Sequence, residues 1–227
     1  EALMHSKNGN NASHEETLKA AYTQIENLNF LDLQDDGYNL LLVSTLYYFG
    51  ERYEEAARLL SRYLELNPVD VDAYRLLATI QLELNRPQLA ILSLQKGLKQ
   101  SANNISLLAL MAEAEMRQKN FTRASELFSA IGKHSPENKT IQQRLALARL
   151  AEGKTETAID MFEVLIDKNP SISSYRLMLA KIYLGLGYFN RALKVCEELV
   201  ENNPENPMAY NIQGNVYLGK KDLEKAR

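Results

Sequence analysis

The stretch Ser173–Asn206, SSYRLMLAKIYLGLGYFNRALKVCEELVENNPEN, decides the fold. Its apolar residues recur at helical spacing in two runs, Tyr175 to Leu186 and Arg191 to Asn202, with a turn around Gly187 between them and Asn203-Pro204 as the stop. That is a helical hairpin. Its Ala192 belongs to a series, Ala56, Ala90, Ala124, Ala158, Ala192 and Ala226, with a constant step of 34 residues. A hairpin repeated at fixed period cannot bury its apolar faces alone and stacks on its copies, so the sequence predicts an all-α solenoid.

Working outward, five full units lie in register: Gly37–Asp70, Val71–Asn104, Ile105–Asn138, Lys139–Ile172 and Ser173–Asn206. A sixth starts at Pro207 and runs to Arg227 as a truncated unit. Before them, residues 13–36 read as a half-repeat capping helix and linker. There Ser13 and Glu16 form a capping box, and Leu18, Ala21, Ile25 and Leu28 mark one face of a helix over His14–Asn29. Residues 1–12 read as a disordered tail. The eighth position of each unit is small (Ser44, Ala78, Ala112, Ala146, Ala180, Gly214), as is the alanine at the twentieth, which lets helices approach closely. A larger side chain at either place overpacks the contact by about 1–3 kcal/mol. Large residues fill the space at the seventh position (Val43, Leu77, Met111, Leu145, Leu179) and the twenty-fourth (Leu60, Leu94, Phe128, Phe162, with Cys196 in the fifth unit). Pro68, Pro136, Pro170 and Pro204 end the second helices, because proline has no amide to donate. Gly153 and Gly187 suit a left-handed turn between helices, where other units carry Glu51, Asn85 and Lys119.

The spacing of Ala78, Tyr183, Gly187, Phe189, Ala192 and Pro204 resembles the tetratricopeptide repeat, over residues 37–227. The resemblance implies a right-handed superhelical α-solenoid whose first helices line a concave groove that binds a peptide or an extended partner segment. Groove positions in that family fall here on Tyr38, Thr45, Tyr48, Arg75, Thr79, Glu83, Glu113, Arg117, Gln143, Arg144, Lys181, Asn211 and Asn215. Arg75, Arg117, Arg144 and Lys181 then form a row of cations suited to carboxylates. The family's C-terminal carboxylate clamp is not reproduced, since Leu41 and Thr45 stand where it has Lys and Asn. Segments Arg144–Ile159, RLALARLAEGKTETAI, and Glu205–Arg227 also resemble the repeat lipoproteins of bacterial exosortase (PEP-CTERM) and exopolysaccharide systems. That second resemblance implies a periplasmic or outer-membrane-anchored protein.

Composition narrows the function classes. With 26 Lys and Arg against 29 Asp and Glu, a net charge of -3 argues against a nucleic-acid partner. Leu40–Phe49, the longest apolar run, is about half of what a membrane span needs. Cys196 is the only cysteine and reads as a buried hydrophobe. His5, His14 and His134 lack metal-ligand spacing, and no nucleophile stands with a base, so neither metal, cofactor nor catalytic residue is expected. The chain lacks an initiator Met and reads as an excised fragment, whose truncated sixth unit invites end-to-end contacts between copies, with fraying beyond Gly219. At the eleventh position Tyr47, Tyr183 and Tyr217 give way to Gln81, Glu115 and Arg149, and a Glu115–Arg149 pair between units is expected. The resulting reading is a non-catalytic interaction scaffold. The alternatives are a regulatory or targeting region of a larger enzyme, such as a glycosyltransferase, and an architectural spacer in envelope polysaccharide assembly.

Overall fold

The computed structural model describes residues 36–202 and 204–220. The tail 1–12, the Ser13–Glu16 box, the helix expected over His14–Asn29 and the residues beyond 220 lie outside them. Among the described residues are eleven α-helices and no strand, in an all-α solenoid of helical hairpins. The first helices, α1 (Gly37–Phe49), α3 (Val71–Glu83), α5 (Ile105–Arg117), α7 (Lys139–Ala151), α9 (Ser173–Gly185) and α11 (Pro207–Gly219), each have 13 residues. The second helices, α2 (Tyr53–Leu66), α4 (Pro87–Gln100), α6 (Phe121–His134), α8 (Thr155–Lys168) and α10 (Phe189–Asn202), each have 14. Within each set the starting residues keep the 34-residue step of the alanines. In the deciding stretch, α9 starts two residues before Tyr175 and stops one before Leu186, and α10 starts two before Arg191.

The turn between the helices of a hairpin explains those ends. In every full unit the fifteenth residue has positive φ: Glu51 at 59°, Asn85 at 54°, Lys119 at 63°, Gly153 at 88° and Gly187 at 74°. Its amide bonds the carbonyl three residues back, and the next amide reaches five back, as in Gly187 N to Leu184 O at 3.0 Å and Tyr188 N to Tyr183 O at 2.8 Å. This pair of bonds satisfies the carbonyls that a helix end leaves orphaned. The left-handed conformation is therefore a property of the turn, and glycine occupies only two of its five places.

The other junction is closed by side chains. Asp36, Asp70, Asn104, Asn138 and Asn206 each sit just before a first helix, and each side chain accepts from an amide of its first turn. Such a cap stabilises a helix by about 1 kcal/mol. Ile172, before α9, has no side-chain cap bond and packs against the core instead. Asp70 does more, because its second oxygen accepts from the Tyr63 hydroxyl at 2.7 Å and links the end of α2 to the start of α3. That bond, together with burial, pushes the Tyr63 phenol up to about 12.

Contacts within the chain divide it into two compact units, with α1–α5 in one and α6–α11 in the other. Both have the same interior. The eighth-position Ser44, Ala78, Ala112, Ala146 and Ala180 and the twentieth-position Ala56, Ala90, Ala124, Ala158 and Ala192 are fully buried. Leu60, Leu94, Phe128, Phe162 and Cys196 are sealed beside them. Burial pushes the Cys196 thiol up to about 11, so it packs as an inert hydrophobe.

Candidate functional site

The inner-face positions of the first helices were placed by the resemblance, and the structure gives each a surrounding. On α1, Tyr38 is 75% exposed, whereas Tyr48 is half-buried against the Phe49 and Tyr53 rings, with centroids 5.5 and 6.0 Å away. Thr45 turns its hydroxyl back onto the Leu41 carbonyl at 2.7 Å. On α3, Arg75 lies 3.3 Å from Asp72, Thr79 donates to the Arg75 carbonyl at 3.0 Å, and Glu83 is exposed. On α5, Arg117 pairs with Glu113 at 3.8 Å and donates to the Leu82 carbonyl at the end of α3. Arg75 and Arg117 thus each have a carboxylate partner on their own helix, and Arg117 also neutralises the negative end of a neighbouring helix.

In the other unit Gln143 is half-buried and Arg144 exposed on α7. Lys181 on α9 and Asn211 on α11 come together around a cavity of about 390 Å³, floored by Met208 and the buried Ile212. Asn215 donates its amide to Asn211 Oδ1 at 3.1 Å, which leaves the Asn211 amide as a donor for the cavity. Lys181 has no carboxylate partner among the described residues. An ammonium and an amide beside an apolar floor suit an acceptor group carried next to an apolar side chain.

The outer side carries larger cavities, built from the same repeat positions. Between α2 and α4, over Tyr74, Leu77 and Gln81 of α3, lies a groove of about 560 Å³ walled by Leu89 and the 51% exposed Leu92. Between α8 and α10, over Arg176, Leu179 and Tyr183 of α9, lies one of about 630 Å³ walled by Asp160, Glu163 and Asp167 on one side and Arg191 and Lys194 on the other. A third, of about 830 Å³, has Met161, Val164 and Leu165 of α8 facing Pro136 and Gln142. The sequence reading missed these grooves. A signal for them existed in the exposed nineteenth and twenty-second positions, which change from Leu89 and Leu92 to Arg191 and Lys194.

The eleventh position floors the first two of these grooves, as Gln81 and Tyr183. Within their own units, Glu115 accepts from the Asn120 amide at 2.7 Å and Arg149 bonds Glu152 at 3.0 Å, partners three to five residues away that need little ordering to reach. Glu152 is a hub: it also accepts from Lys154 at 2.7 Å and Ser125 at 3.0 Å, with its side chain 10% exposed. These donors, Lys154 first, hold its carboxyl down to about 2. Gln81 is buried and accepts from Ser93 at 2.8 Å, and Tyr183 donates to Glu163 at 2.9 Å. Burial, then that bond, raises the Tyr183 phenol.

His134 is the last residue of α6, where a helix presents its negative end. Among the described residues no three His, Cys, Asp or Glu are grouped to hold a metal ion, and no helix is long and apolar enough to cross a membrane.

The family model of the tetratricopeptide repeat matches residues 41–105 and 110–171, and a second model of the same description matches 149–216. The chain belongs to the tetratricopeptide repeat family. Solved structures agree on the fold. A tetratricopeptide repeat protein from Parabacteroides merdae is 19% identical with a TM-score of 0.73, over 99% of this chain and 86% of that one. PilF from Pseudomonas aeruginosa is 20% identical with a TM-score of 0.63, over 84% and 86%. YrrB, described as having an unusual peptide-binding site, is 18% identical with a TM-score of 0.55, over 75% and 88%. No curated protein matches the chain in sequence. Tetratricopeptide repeats are generally non-catalytic, and the fold supports a protein–protein interaction scaffold.

Proposed function

We propose that this tetratricopeptide protein holds a peptide or an extended segment of a partner protein against the inner faces of its first helices. The observation that carries the reading is the cavity shared by Lys181 and Asn211 over Met208 and Ile212. It offers two donors to a carboxylate or carbonyl and an apolar floor to the neighbouring side chain. Exposed Tyr38 on α1, and Arg144 on α7, extend the inner-face surface within their respective units. The proposed organisation is five full units over 37–206, preceded by a half repeat at 13–36 and followed by a partial unit at 207–227. A place in a bacterial cell-envelope sorting or exopolysaccharide system rests on the sequence resemblance.

The test compares capture from envelope and soluble fractions by the parent chain and by Lys181→Glu with Asn211→Ala. Both positions are exposed, so the variant keeps its helical circular dichroism. A protein captured by the parent and lost with the variant supports the inner-face reading. Identical capture by both overturns it.

A further inference from the structure

The groove between α8 and α10 has walls of opposite charge that do not neutralise each other. Glu156, Asp160, Glu163 and Asp167 line α8, Arg191 and Lys194 line α10 with Glu198, whose carboxylate faces the floor residue Arg176, and among the described residues no ion pair joins the two walls. Among the described residues Glu163 is bound by the Tyr183 hydroxyl alone. Arg191 lies over the Tyr183 and Tyr188 rings, 5.7 and 5.5 Å from their centroids, and has no carboxylate partner among the described residues. Between the walls about 630 Å³ stands open, the volume of a short peptide segment.

The floor supplies a second, independent observation. Arg176 is 12% exposed; its Nη1 donates to the Pro170 carbonyl at 2.6 Å, and its Nε sits 3.7 Å from Glu198, too far for a hydrogen bond. That Nε is buried and has no acceptor. The floor thus carries a guanidinium fixed by the Pro170 carbonyl and beside the Glu198 carboxylate.

We propose that this outer groove binds an extended peptide of alternating basic and acidic residues, separately from the inner-face site. The geometry selects the extended form. On α8 the acidic positions 160, 163 and 167 are three and four residues apart, about 4.5–6 Å along the helix axis. Same-side residues of an extended chain are about 6.5–7 Å apart, which leaves each within reach of one carboxylate when carried on a long Lys or Arg side chain. The intervening side chains point the opposite way, toward Arg191 and Lys194, and match them when acidic. A uniformly basic peptide meets one wall and is repelled by the other.

The probe is a fluorescent alternating Lys-Glu octapeptide, read by polarisation against the whole chain. Its control is an octapeptide of the same composition in two blocks, four Lys then four Glu. Exposed positions are changed on one wall at a time, Asp160→Asn with Asp167→Asn, or Arg191→Gln with Lys194→Gln, and circular dichroism confirms the helices. Binding of the alternating peptide at least tenfold tighter than the block peptide, and weakened about tenfold or more by each wall variant, is the expected result. The interaction should also weaken as salt rises. Failure of the alternating peptide to bind, equal binding of both peptides, or indifference to the wall variants overturns the proposal. Concentration-dependent self-association that the wall variants abolish, without peptide binding, overturns it in favour of a second copy as the occupant. Lys181→Glu with Asn211→Ala leaves this binding unchanged, which separates the outer groove from the inner-face reading.

Discussion

The groove between α2 and α4 and the groove between α8 and α10 are the same construction with different chemistry. Their floors come from the fourth, seventh and eleventh positions of a first helix: Tyr74, Leu77 and Gln81 in one, Arg176, Leu179 and Tyr183 in the other. One wall of each comes from the nineteenth and twenty-second positions of the following second helix, Leu89 and Leu92 against Arg191 and Lys194. The backbone is common to both because turn, cap and small-residue contacts recur at the same step. The wall side chains Leu89, Leu92, Arg191 and Lys194 are exposed, where the repeat imposes little, so they are free to differ, whereas the floors are largely buried. A solenoid therefore holds its shape constant and varies its surfaces unit by unit.

The comparison breaks first if the shared interior is removed. Phe162→Ala empties a fully buried twenty-fourth position between α8 and its neighbours and should lower stability by about 3–5 kcal/mol in urea unfolding. A loss below about 1 kcal/mol would mean that the interior is not what holds the groove walls. The polar floors should separate next. Ser93→Ala leaves the buried Gln81 Oε1 without its donor and should cost about 1–3 kcal/mol. Tyr183→Phe frees an exposed Glu163 that water can solvate, and should cost less than Ser93→Ala in the same assay.

The turns sharpen the comparison further. Nothing lies within 4 Å of a Cβ added at Gly187, so Gly187→Ala reports backbone strain alone, about 1–2 kcal/mol. Lys119→Gly, at the equivalent turn with φ of 63°, should stabilise by about 1 kcal/mol in thermal unfolding. Equal melting temperatures for both variants and the parent would remove the turn from the account of shape.

The last effect depends on pH. The Glu152 carboxyl is held down to about 2 from 4.5, so its contribution is fully present above 4.5 and is lost as pH falls toward 2. Melting of Glu152→Gln should lie below the parent at neutral pH, and the gap should close by pH 2. A gap that persists at pH 2 would show that the charge is not what Arg149, Lys154 and Ser125 recognise.

The sequence was legible where one residue type answers one structural demand at each period. The alanines at the twentieth position, the prolines near the unit ends and the glycines at 153 and 187 each answer a close contact, a stop or a left-handed residue. The caps Asp36, Asp70, Asn104, Asn138 and Asn206 carried the same kind of signal and went unread, although they mark five of the six first-helix starts. At the inner face the position alone was legible. Arg75 and Arg117 looked alike with Lys181 in sequence, but only Lys181 comes without a carboxylate partner among the described residues and faces a cavity.

By itself, the sequence determined the period, the all-α class and the residues that face inward, because 3.6-residue helical periodicity and a constant repeat are one-dimensional properties. Tertiary structure alone decided which charges are satisfied. Glu152 gathered Arg149, Lys154 and Ser125, the buried Gln81 met Ser93, and the acidic positions of α8 came to face Arg191 and Lys194 across one groove. Those outcomes depend on distances between residues far apart in the chain, which a repeat pattern does not record.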